Sequence, residues 1–225
     1  MNSFLFGVYP YIALAVFLVG SLIRFDRDQY TWKSDSSQLL RRGQLRWGSN
    51  LFHLGILGIF FGHLGGLLTP LAVWHALGLS MAAKQMVAIV GGGIAGAACA
   101  LGLVLLIHRR LTIARVRANS RPMDFIIVFL LLAQVLLGLY SIVFSLGHRD
   151  GSEMLKFVHW AQAIVTLEPD AARHIADVAW VFKTHITLGL TLFLVFPFSR
   201  LVHIWSGFGT VAYLGRAYQI VRSRA

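Results

Sequence analysis

Five long apolar segments divide the chain, and short polar stretches separate them. A helix needs about 20 residues to cross the roughly 30 Å hydrocarbon core of a bilayer, and each segment reaches that length. Within lipid, a single apolar segment satisfies its own backbone hydrogen bonds only as a helix. The pattern therefore predicts an all-α integral membrane protein that forms one membrane domain over residues 1–225. Its five transmembrane helices cover approximately residues 4–23, 47–69, 87–107, 125–146 and 178–204.

The longest gap between the spans, residues 147–177, has a different pattern. Its apolar residues recur at three- and four-residue intervals, which predicts an amphipathic helix. The residues in this pattern are Met154, Phe157, Val158, Ala161, Ile164 and Val165. At the start of the chain, MNSFLFGVYP has no basic residue before its apolar run, so we expect a retained helix and not a cleaved signal.

Composition agrees with a membrane protein, because 57% of the residues are hydrophobic and only 13% are charged. A soluble domain carries about 25% charged residues. The net charge of +11 would suit a nucleic-acid-binding protein, but the basic residues fall between the apolar segments and not along one face. That distribution is typical of membrane topology, so we expect no nucleic-acid partner. The single cysteine, Cys99, excludes a disulfide framework and a thiolate iron–sulfur or zinc site within the chain.

The basic residues also predict the orientation of the helices. One side of the membrane holds only five of the 20 lysines and arginines: Lys84, Arg149, Lys156, Arg173 and Lys183. The positive-inside rule therefore places the N-terminus outside and the C-terminus in the cytoplasm. The cytoplasmic group consists of Arg24, Arg27, Lys33, Arg41, Arg42, Arg46, Arg109, Arg110, Arg115, Arg117, Arg121, Arg200, Arg216, Arg222 and Arg224.

Four histidines lie within the predicted spans, two in the second and two in the fifth. Ionisable residues are costly in a bilayer and mark functional sites there. Since the two helices run in opposite directions, their histidines form an outer pair, His63 and His185, and an inner pair, His53 and His203. A single histidine is more often part of the packing, but four at matched depths favour metal ligation.

The chemistry of the two pairs favours haem. Two neutral imidazoles without a carboxylate or thiolate suit the axial positions of haem iron. With both positions filled, such a centre transfers electrons and has no open site for a substrate. The interval from His53 to His63 rises about 15 Å along a helix, whereas that from His185 to His203 rises about 27 Å. Helix tilt, a bend at Pro197 and imidazoles that lean along the haem normal would have to absorb a difference of roughly 12 Å.

Glycines crowd the second span around both of its histidines. Small residues let a flat macrocycle approach the backbone, and they equally let a second helix pack closely through GxxxG-type contacts. The glycines are Gly55, Gly58, Gly62, Gly65 and Gly66.

The stretches SNLFHLGILGIFFGHLGGLLTP (residues 49–70) and HITLGLTLFLVFPFSRLVHIWS (residues 185–206) resemble the membrane gamma subunit of respiratory nitrate reductase. VYPYIALAVFLVGSLIRFD and DGSEMLKFVHWAQAIVTL are similar too, so the resemblance covers nearly the whole chain in order. It implies a dihaem cytochrome b of the bacterial inner membrane that oxidises quinol. It also implies transfer of the electrons to an iron–sulfur beta subunit and then to a molybdenum-containing alpha subunit, which reduces nitrate at the cytoplasmic face.

The resemblance also implies roles for individual residues. His53 with His203, and His63 with His185, match the axial ligands of two haem b groups. Lys84, Gly62 and His63 match the family's quinol site beside the outer haem. An ammonium group at Lys84 could donate a hydrogen bond to a quinone oxygen, and a lysine that extends to the lipid headgroups fits the sequence equally well.

Two arginines are further candidates at the cytoplasmic end. Arg109 and Arg110 could pair with the propionates of the inner haem, although arginines at this position also satisfy the positive-inside rule.

The hypothesis that follows is oxidation of quinol at the outer side, with proton release there and inward movement of the electrons. That movement opposes the membrane potential by about 2.3 kcal/mol per 100 mV. No Asp or Glu falls within the predicted spans, which argues against a proton pump with a carboxylate relay. Two alternatives stay open, namely a similar dihaem quinol-oxidising subunit of another respiratory reductase, and a non-redox membrane anchor or transporter.

Overall fold

The computed structural model describes residues 1–32, 42–147 and 150–207, and all regular structure in these ranges is helical. A π-helical turn, Phe4–Val8, leads into the first helix, and 3-10 turns cover Gln29–Thr31, Ala171–Ile175, Phe196–Phe198 and Arg200–Val202. Residues 203–207 are α-helical again. The helices are α1 (Tyr9–Arg27), α2 (Arg42–Leu68), α3 (Leu71–Ala76), α4 (Met81–Thr112), α5 (Ala114–Ala118), α6 (Pro122–Ser145), α7 (Ser152–Val165) and α8 (Trp180–Val195).

Five of these helical segments are long and apolar enough to cross a membrane. They are Phe4–Arg27, Gly43–Leu68, Met81–Thr112, Pro122–Ser145 and Trp180–Phe198. The prediction of an all-helical protein with five spans is therefore confirmed. The predicted direction of the spans stays a prediction, and part of its basis lies outside the described residues: Lys33, Arg41, Arg149, Arg216, Arg222 and Arg224.

Three spans begin earlier than predicted, at Arg42, Met81 and Pro122, and in α4 and α6 a polar side chain caps the first turn. The Ser80 hydroxyl accepts a hydrogen bond from the Ala83 amide at 3.1 Å, and α4 starts at Met81 instead of residue 87. Pro122 and Asp124 occupy the first turn of α6, where proline and acidic side chains are favoured, so this helix starts before residue 125. Asp124 consequently lies inside a span, as Asp26 does at the end of the first span, and the expectation that the spans hold no acidic residue is wrong.

The fifth span is not the continuous helix predicted for residues 178–204. The α-helix α8 ends at Val195, and two 3-10 turns separated by the extended residue Ser199 follow. Proline has no amide hydrogen and its ring clashes with the preceding turn, which accounts for the break at Pro197. As a result, His203 lies on a separate helical segment beyond α8.

The long helices pack in the order α2, α4, α6, α8 and α1. At the α2–α4 contact, a Cβ atom on Gly55 would lie 2.5 Å from the Cys99 backbone nitrogen, so close helix packing explains this glycine. By contrast, apart from the neighbouring residues and nearby backbone of α2 itself, no atom of the described residues lies within 4 Å of a Cβ built on Gly62, Gly65 or Gly66. The α2 surface near His63 is therefore not closely covered by another part of the chain that the structure describes.

Helix α7 packs against the beginning of the first span and the beginning of α8. Its residues Val158, Ala161 and Ile164 are buried in a cluster with Phe6 and Phe182, which confirms the predicted amphipathic helix, whereas Val165 at its end is exposed. The indole of Trp160 in the same helix donates a hydrogen bond to the Phe6 carbonyl at 2.9 Å. This hydrogen bond ties α7 to the beginning of the first span.

Candidate functional site

The structure brings the four histidines of the spans together as two pairs. The ring centres of His63 and His185 are 6.2 Å apart, and those of His53 and His203 are 6.4 Å apart. A metal between two imidazoles needs about 2 Å for each bond and about 1.2 Å from each nitrogen to its ring centre, so the ring centres lie roughly 6–6.5 Å apart. Both pairs have the separation expected of two axial ligands on one metal ion.

Three of the four rings have their orientation set by the backbone. The Nδ1 atoms of His53 and His63 donate to the carbonyl oxygens of Ser49 and Ile59, one helical turn earlier, at 2.7 Å and 2.8 Å. Because a carbonyl oxygen only accepts hydrogen bonds, the proton resides on Nδ1 and the Nε2 lone pair is available to a metal.

The Nδ1 atom of His203 also donates a hydrogen bond to a backbone carbonyl, but this carbonyl lies in a 3-10 turn and not in an α-helix. The acceptor is the Arg200 carbonyl, at 2.6 Å across the turn that precedes the histidine. Despite the unequal histidine spacings noted in the sequence, His203, on the segment beyond the break, lies beside His53.

His185 has a different environment. Its ring lies against α6, where a Cβ atom on Gly138 would be only 3.0 Å from the His185 Cε1 atom. The Nδ1 atom is buried and has no hydrogen-bond partner among the residues described, and the same is true of the Gln134 side-chain oxygen. The Gln134 amide nitrogen is 3.4 Å from the other ring nitrogen of His185. Gln134 was missed in the sequence because a lone glutamine in an apolar span carries no recognisable pattern.

The two helices that carry the outer pair are not packed closely against each other. Helices α2 and α8 are not among the closely packed helix pairs of the described structure, although the ring centres of His63 and His185, one on each helix, lie 6.2 Å apart. A free nitrogen on three rings, an orphaned buried nitrogen on the fourth and uncovered glycines beside His63 all fit a flat metal-containing group held by two axial histidines.

Lys84 is buried near the start of α4, with 5% of its surface exposed. Its ammonium nitrogen has no hydrogen-bond partner among the described residues and lies 5.1 Å from the centre of the Trp74 ring. The indole nitrogen of Trp74 is buried without a partner in that same part of the chain. A lysine that extends to the lipid headgroups would be exposed, so its burial favours a role in binding. Trp74 lies in the short helix α3, which the sequence motifs did not single out.

The two arginines proposed for haem propionates have different surroundings. The guanidinium of Arg110 is 3.3 Å from the Asp124 carboxylate, and it donates a hydrogen bond to the Ser120 hydroxyl at 2.9 Å. Arg109 is buried, with 3% of its surface exposed. Arg110 therefore belongs to an ion cluster within the chain, and the role of both arginines toward a propionate stays a prediction.

Asp124 is the centre of that ion cluster, which the sequence motifs did not reveal. Its two carboxylate oxygens accept hydrogen bonds from Arg200 Nε and Nη2, both at 2.6 Å, and one of them also accepts from the Arg121 amide at 2.9 Å. Pro122 followed two residues later by Asp124 is a recognisable helix start, but sequence alone does not connect it with Arg200.

Known proteins resemble this chain over its whole length. The family described as nitrate reductase gamma subunit matches residues 2–224. The chain is 52% identical to the respiratory nitrate reductase 1 gamma chain of Escherichia coli (strain K12) over 224 residues, which cover 100% of this chain and 98% of that relative. It is 37% identical to the nitrate reductase gamma chain of Bacillus subtilis (strain 168) over 224 residues, which cover 100% of this chain and 99% of the relative. The chain therefore belongs to the nitrate reductase gamma subunit family.

Proposed function

We propose that this chain is the quinol-oxidising dihaem cytochrome b subunit of a cytoplasm-facing respiratory nitrate reductase. The observation that carries the proposal is the presence of two histidine pairs with ring separations of 6.2 Å and 6.4 Å. Membership of the gamma subunit family supports the assignment as an electron-transport subunit of the reductase, with nitrate reduced on a partner subunit.

The residues present fit two haem b groups, one at each pair. His53 and His203 would hold the inner haem, and His63 and His185 the outer haem. When bound in this way, haem supplies one-electron transfer between quinol and the partner subunits without binding a substrate itself. The chain's own contribution is to hold the two imidazoles of each pair at a fixed separation. In His53, His63 and His203 the Nδ1 atom is bonded to the backbone, so that Nε2 is left free as the ligating nitrogen.

Quinol would bind beside the outer pair, at Lys84, Gly62 and His63. The buried Lys84 ammonium has donors to spare and would bind a quinol oxygen, which favours loss of the hydroxyl proton. Trp74 covers this ammonium on one side and thereby limits the access of water to it. The open surface at Gly62 would let a flat ring approach the backbone of α2.

The charges at the two ends support the proposed orientation. Four arginines and Asp124 lie where α4 ends and α6 begins: Arg109, Arg110, Arg121 and Arg200. At the end of the molecule where α7 lies, Lys156 is found with two acidic residues, Glu153 and Asp177. By the positive-inside rule the arginine-rich end faces the cytoplasm. The iron–sulfur beta subunit would dock at this end, with the molybdenum-containing alpha subunit beyond it, in the bacterial inner membrane.

The haem content of the purified chain tests the proposal. We expect two b haems per chain by pyridine haemochrome, with the low-spin reduced-minus-oxidised spectrum of bis-histidine ligation. A well-folded preparation without haem would contradict the proposal and favour a membrane anchor or transporter. Restoring quinol-dependent nitrate reduction by adding the partner subunits then distinguishes nitrate reductase from another respiratory reductase with a similar subunit.

A further inference from the structure

The break between α8 and the helical segment at residues 203–207 leaves backbone groups to be satisfied. Ser199 has an extended backbone, with φ −118° and ψ 177°, so the α-helical hydrogen bonds do not continue through it. An unsatisfied carbonyl is costly where it is buried away from water, so the carbonyls of a broken helix are paired with other groups. Two of these carbonyls accept hydrogen bonds from a side chain of another helix.

Arg24 of α1 supplies one set of partners. Its Nη1 atom donates to the carbonyl oxygens of Pro197 at 2.6 Å and of Ser199 at 2.8 Å. Its Nη2 atom donates to the Thr31 carbonyl at 2.9 Å, which holds the guanidinium in place. One turn earlier, a Cβ atom on Gly20 would lie 2.9 Å from the Pro197 ring, so α1 approaches the break closely. One side chain of α1 thus bonds to both sides of the irregular turn.

Asp124 of α6 binds the side chain of Arg200, the residue that follows Ser199. Arg200 binds its carboxylate through two parallel hydrogen bonds of 2.6 Å. Paired hydrogen bonds between guanidinium and carboxylate fix direction as well as distance. Asp124 itself is buried, with 5% of its surface exposed, and the Arg121 amide and Arg110 restrain it further. The side chain of Arg200 is therefore attached to a rigid point on α6.

The carbonyl of the same Arg200 accepts the Nδ1 hydrogen bond of His203 at 2.6 Å. Arg200 consequently connects Asp124 at its side chain with His203 at its backbone. We propose that Arg24 and Asp124 form a polar clamp on residues 197–200 that positions His203 as the inner haem ligand. The proposal rests on the proposed function, because it takes His53 and His203 as an axial pair.

The outer pair provides an internal standard for the test. His63 and His185 lie within the continuous helices α2 and α8, so their positions do not depend on the clamp. We expect Asp124→Asn to shift the midpoint potential and the low-spin EPR signal of the inner haem, or to lose that haem, while the outer haem keeps both properties. Arg24→Gln acts on a different helix and should have the same selective effect.

Conservative variants and a matched control separate positioning from charge. Asp124→Glu retains a carboxylate and should restore part of the inner-haem signal. Asp26→Asn removes another acidic group of the same end, but Asp26 is an exposed residue whose ion pair with Arg27 is 3.6 Å long, and its side chain is 80% exposed. This control should leave both haems unchanged.

Hydrogen–deuterium exchange provides a readout that does not need haem. In the full-length chain within its complex, we expect Asp124→Asn and Arg24→Gln to accelerate exchange at residues 196–207 about tenfold, with little change in the middle of α2.

The outcomes are distinguishable. An unchanged inner-haem potential and EPR signal in both variants would overturn the proposal, and so would equal changes at the two haems or the same change in Asp26→Asn. If the wild-type chain held no haem, the proposed function would fail, and the exchange rate at residues 196–207 would then decide the clamp, because unaccelerated exchange would overturn it.

Discussion

The inner and outer histidine pairs have nearly the same ring separation, but the structure builds them differently. In the outer pair, both residues lie within continuous helices, and α6 makes room for the His185 ring through Gly138. In the inner pair, His203 lies beyond a break in the fifth span and is held through Arg200, Asp124 and Arg24. The outer pair therefore depends on helix packing, whereas the inner pair depends on polar contacts between distant parts of the chain.

This difference has a physical origin in the spacing of the histidines. Two straight antiparallel helices cannot match a ten-residue interval on one helix with an eighteen-residue interval on the other, since each residue rises about 1.5 Å. In this structure His203 lies beyond the regular helix, and the backbone at the break has other hydrogen-bond partners. We expect the two pairs to respond to different substitutions.

Removal of a ligand should have the largest effect. His53→Ala should lose the inner haem alone, and His63→Ala the outer haem alone, because each pair needs both imidazoles. Quinol-dependent nitrate reduction should fall more than about 100-fold in either variant, beyond the 10–100-fold typical of changes to residues that only orient a metal ligand.

Pyridine haemochrome measurement and redox titration of each variant check this expectation. His75→Ala, outside the spans on the short helix α3, is the matched control and should keep both haems. A His53→Ala chain that still passed electrons from quinol to nitrate at the wild-type rate would contradict the proposed order of transfer.

The next largest effect is expected at Lys84, which acts only beside the outer pair. Lys84→Ala should lower kcat/KM for quinol by roughly 10- to 100-fold, since a hydrogen bond from a charged group contributes about 1.5–3 kcal/mol. The haem spectra should not change. Steady-state assays with a soluble quinol measure the loss, and Lys156→Ala serves as a control lysine at the same end of the molecule. Equal losses in the two variants would remove Lys84 from the quinol site.

A smaller and selective effect is expected at Gly138. A Cβ atom there would lie 3.0 Å from the His185 ring, so Gly138→Ala should displace this ligand by a few tenths of an ångström. The outer haem should shift in potential and EPR signal while the inner haem stays as it is, the reverse of the result expected for Asp124→Asn. Gly93→Ala is the control, because its Cβ would meet only Ile142 at an ordinary contact of 3.8 Å. A shift confined to the inner haem would contradict the comparison.

The smallest effect is expected at the ion pair between Lys156 and Asp177, because the Asp177 side chain is 70% exposed. Lys156 donates to Glu153 at 2.8 Å and to Asp177 at 2.9 Å. The hydrogen bond to Glu153, and after it the one to Asp177, raises the pKa of Lys156. The hydrogen bond from Lys156 in turn lowers the pKa of Asp177. Unlike the buried Asp124, the Asp177 side chain is exposed, so water and salt screen its ion pair with Lys156.

The sign of its pH dependence follows from those directions. The contribution of Asp177 is complete above its unfolded pKa and is lost as the pH falls through its lowered folded pKa. That of Lys156 is complete below its unfolded pKa and is lost as the pH rises through its raised folded pKa. Asp177→Asn should therefore lower the unfolding temperature slightly at neutral pH and not at all in strong acid. Thermal unfolding across pH, at low and high salt, measures this, and a difference that persisted in acid would show another cause.

The sequence was sufficient for features that depend on local pattern. Apolar length predicted the five spans, and helical periodicity predicted α7, since both follow from the need to bury apolar residues and to satisfy the backbone within each segment. The motifs around His53, His63, His185 and His203 also indicated the family correctly. The residue types of the candidate haem sites could therefore be read directly from the order of the amino acids.

The helix boundaries, and the residues that surround the histidines and Lys84, were harder to predict from the sequence. The start of α6 at Pro122 had a readable signal in its proline and acidic residues, but apolar length alone placed it three residues too late. The break at residues 196–202 was expected only as a bend at Pro197. Gln134 and Trp74 have no sequence pattern, because their roles depend on which neighbouring helix they face.

What the sequence determined by itself was the class of protein, its five membrane spans, its family and the four histidines. Only the tertiary structure decided that His203 leaves the fifth helix, that Arg24 bonds to carbonyls 173 and 175 residues away, and that Asp124 holds Arg200. The physical reason is that hydrogen bonds within a helix are local and repeat along the chain, whereas the groups that replace them at a break come from whichever helices pack beside it. Their identity depends on the tilt and rotation of those helices, which no local pattern records.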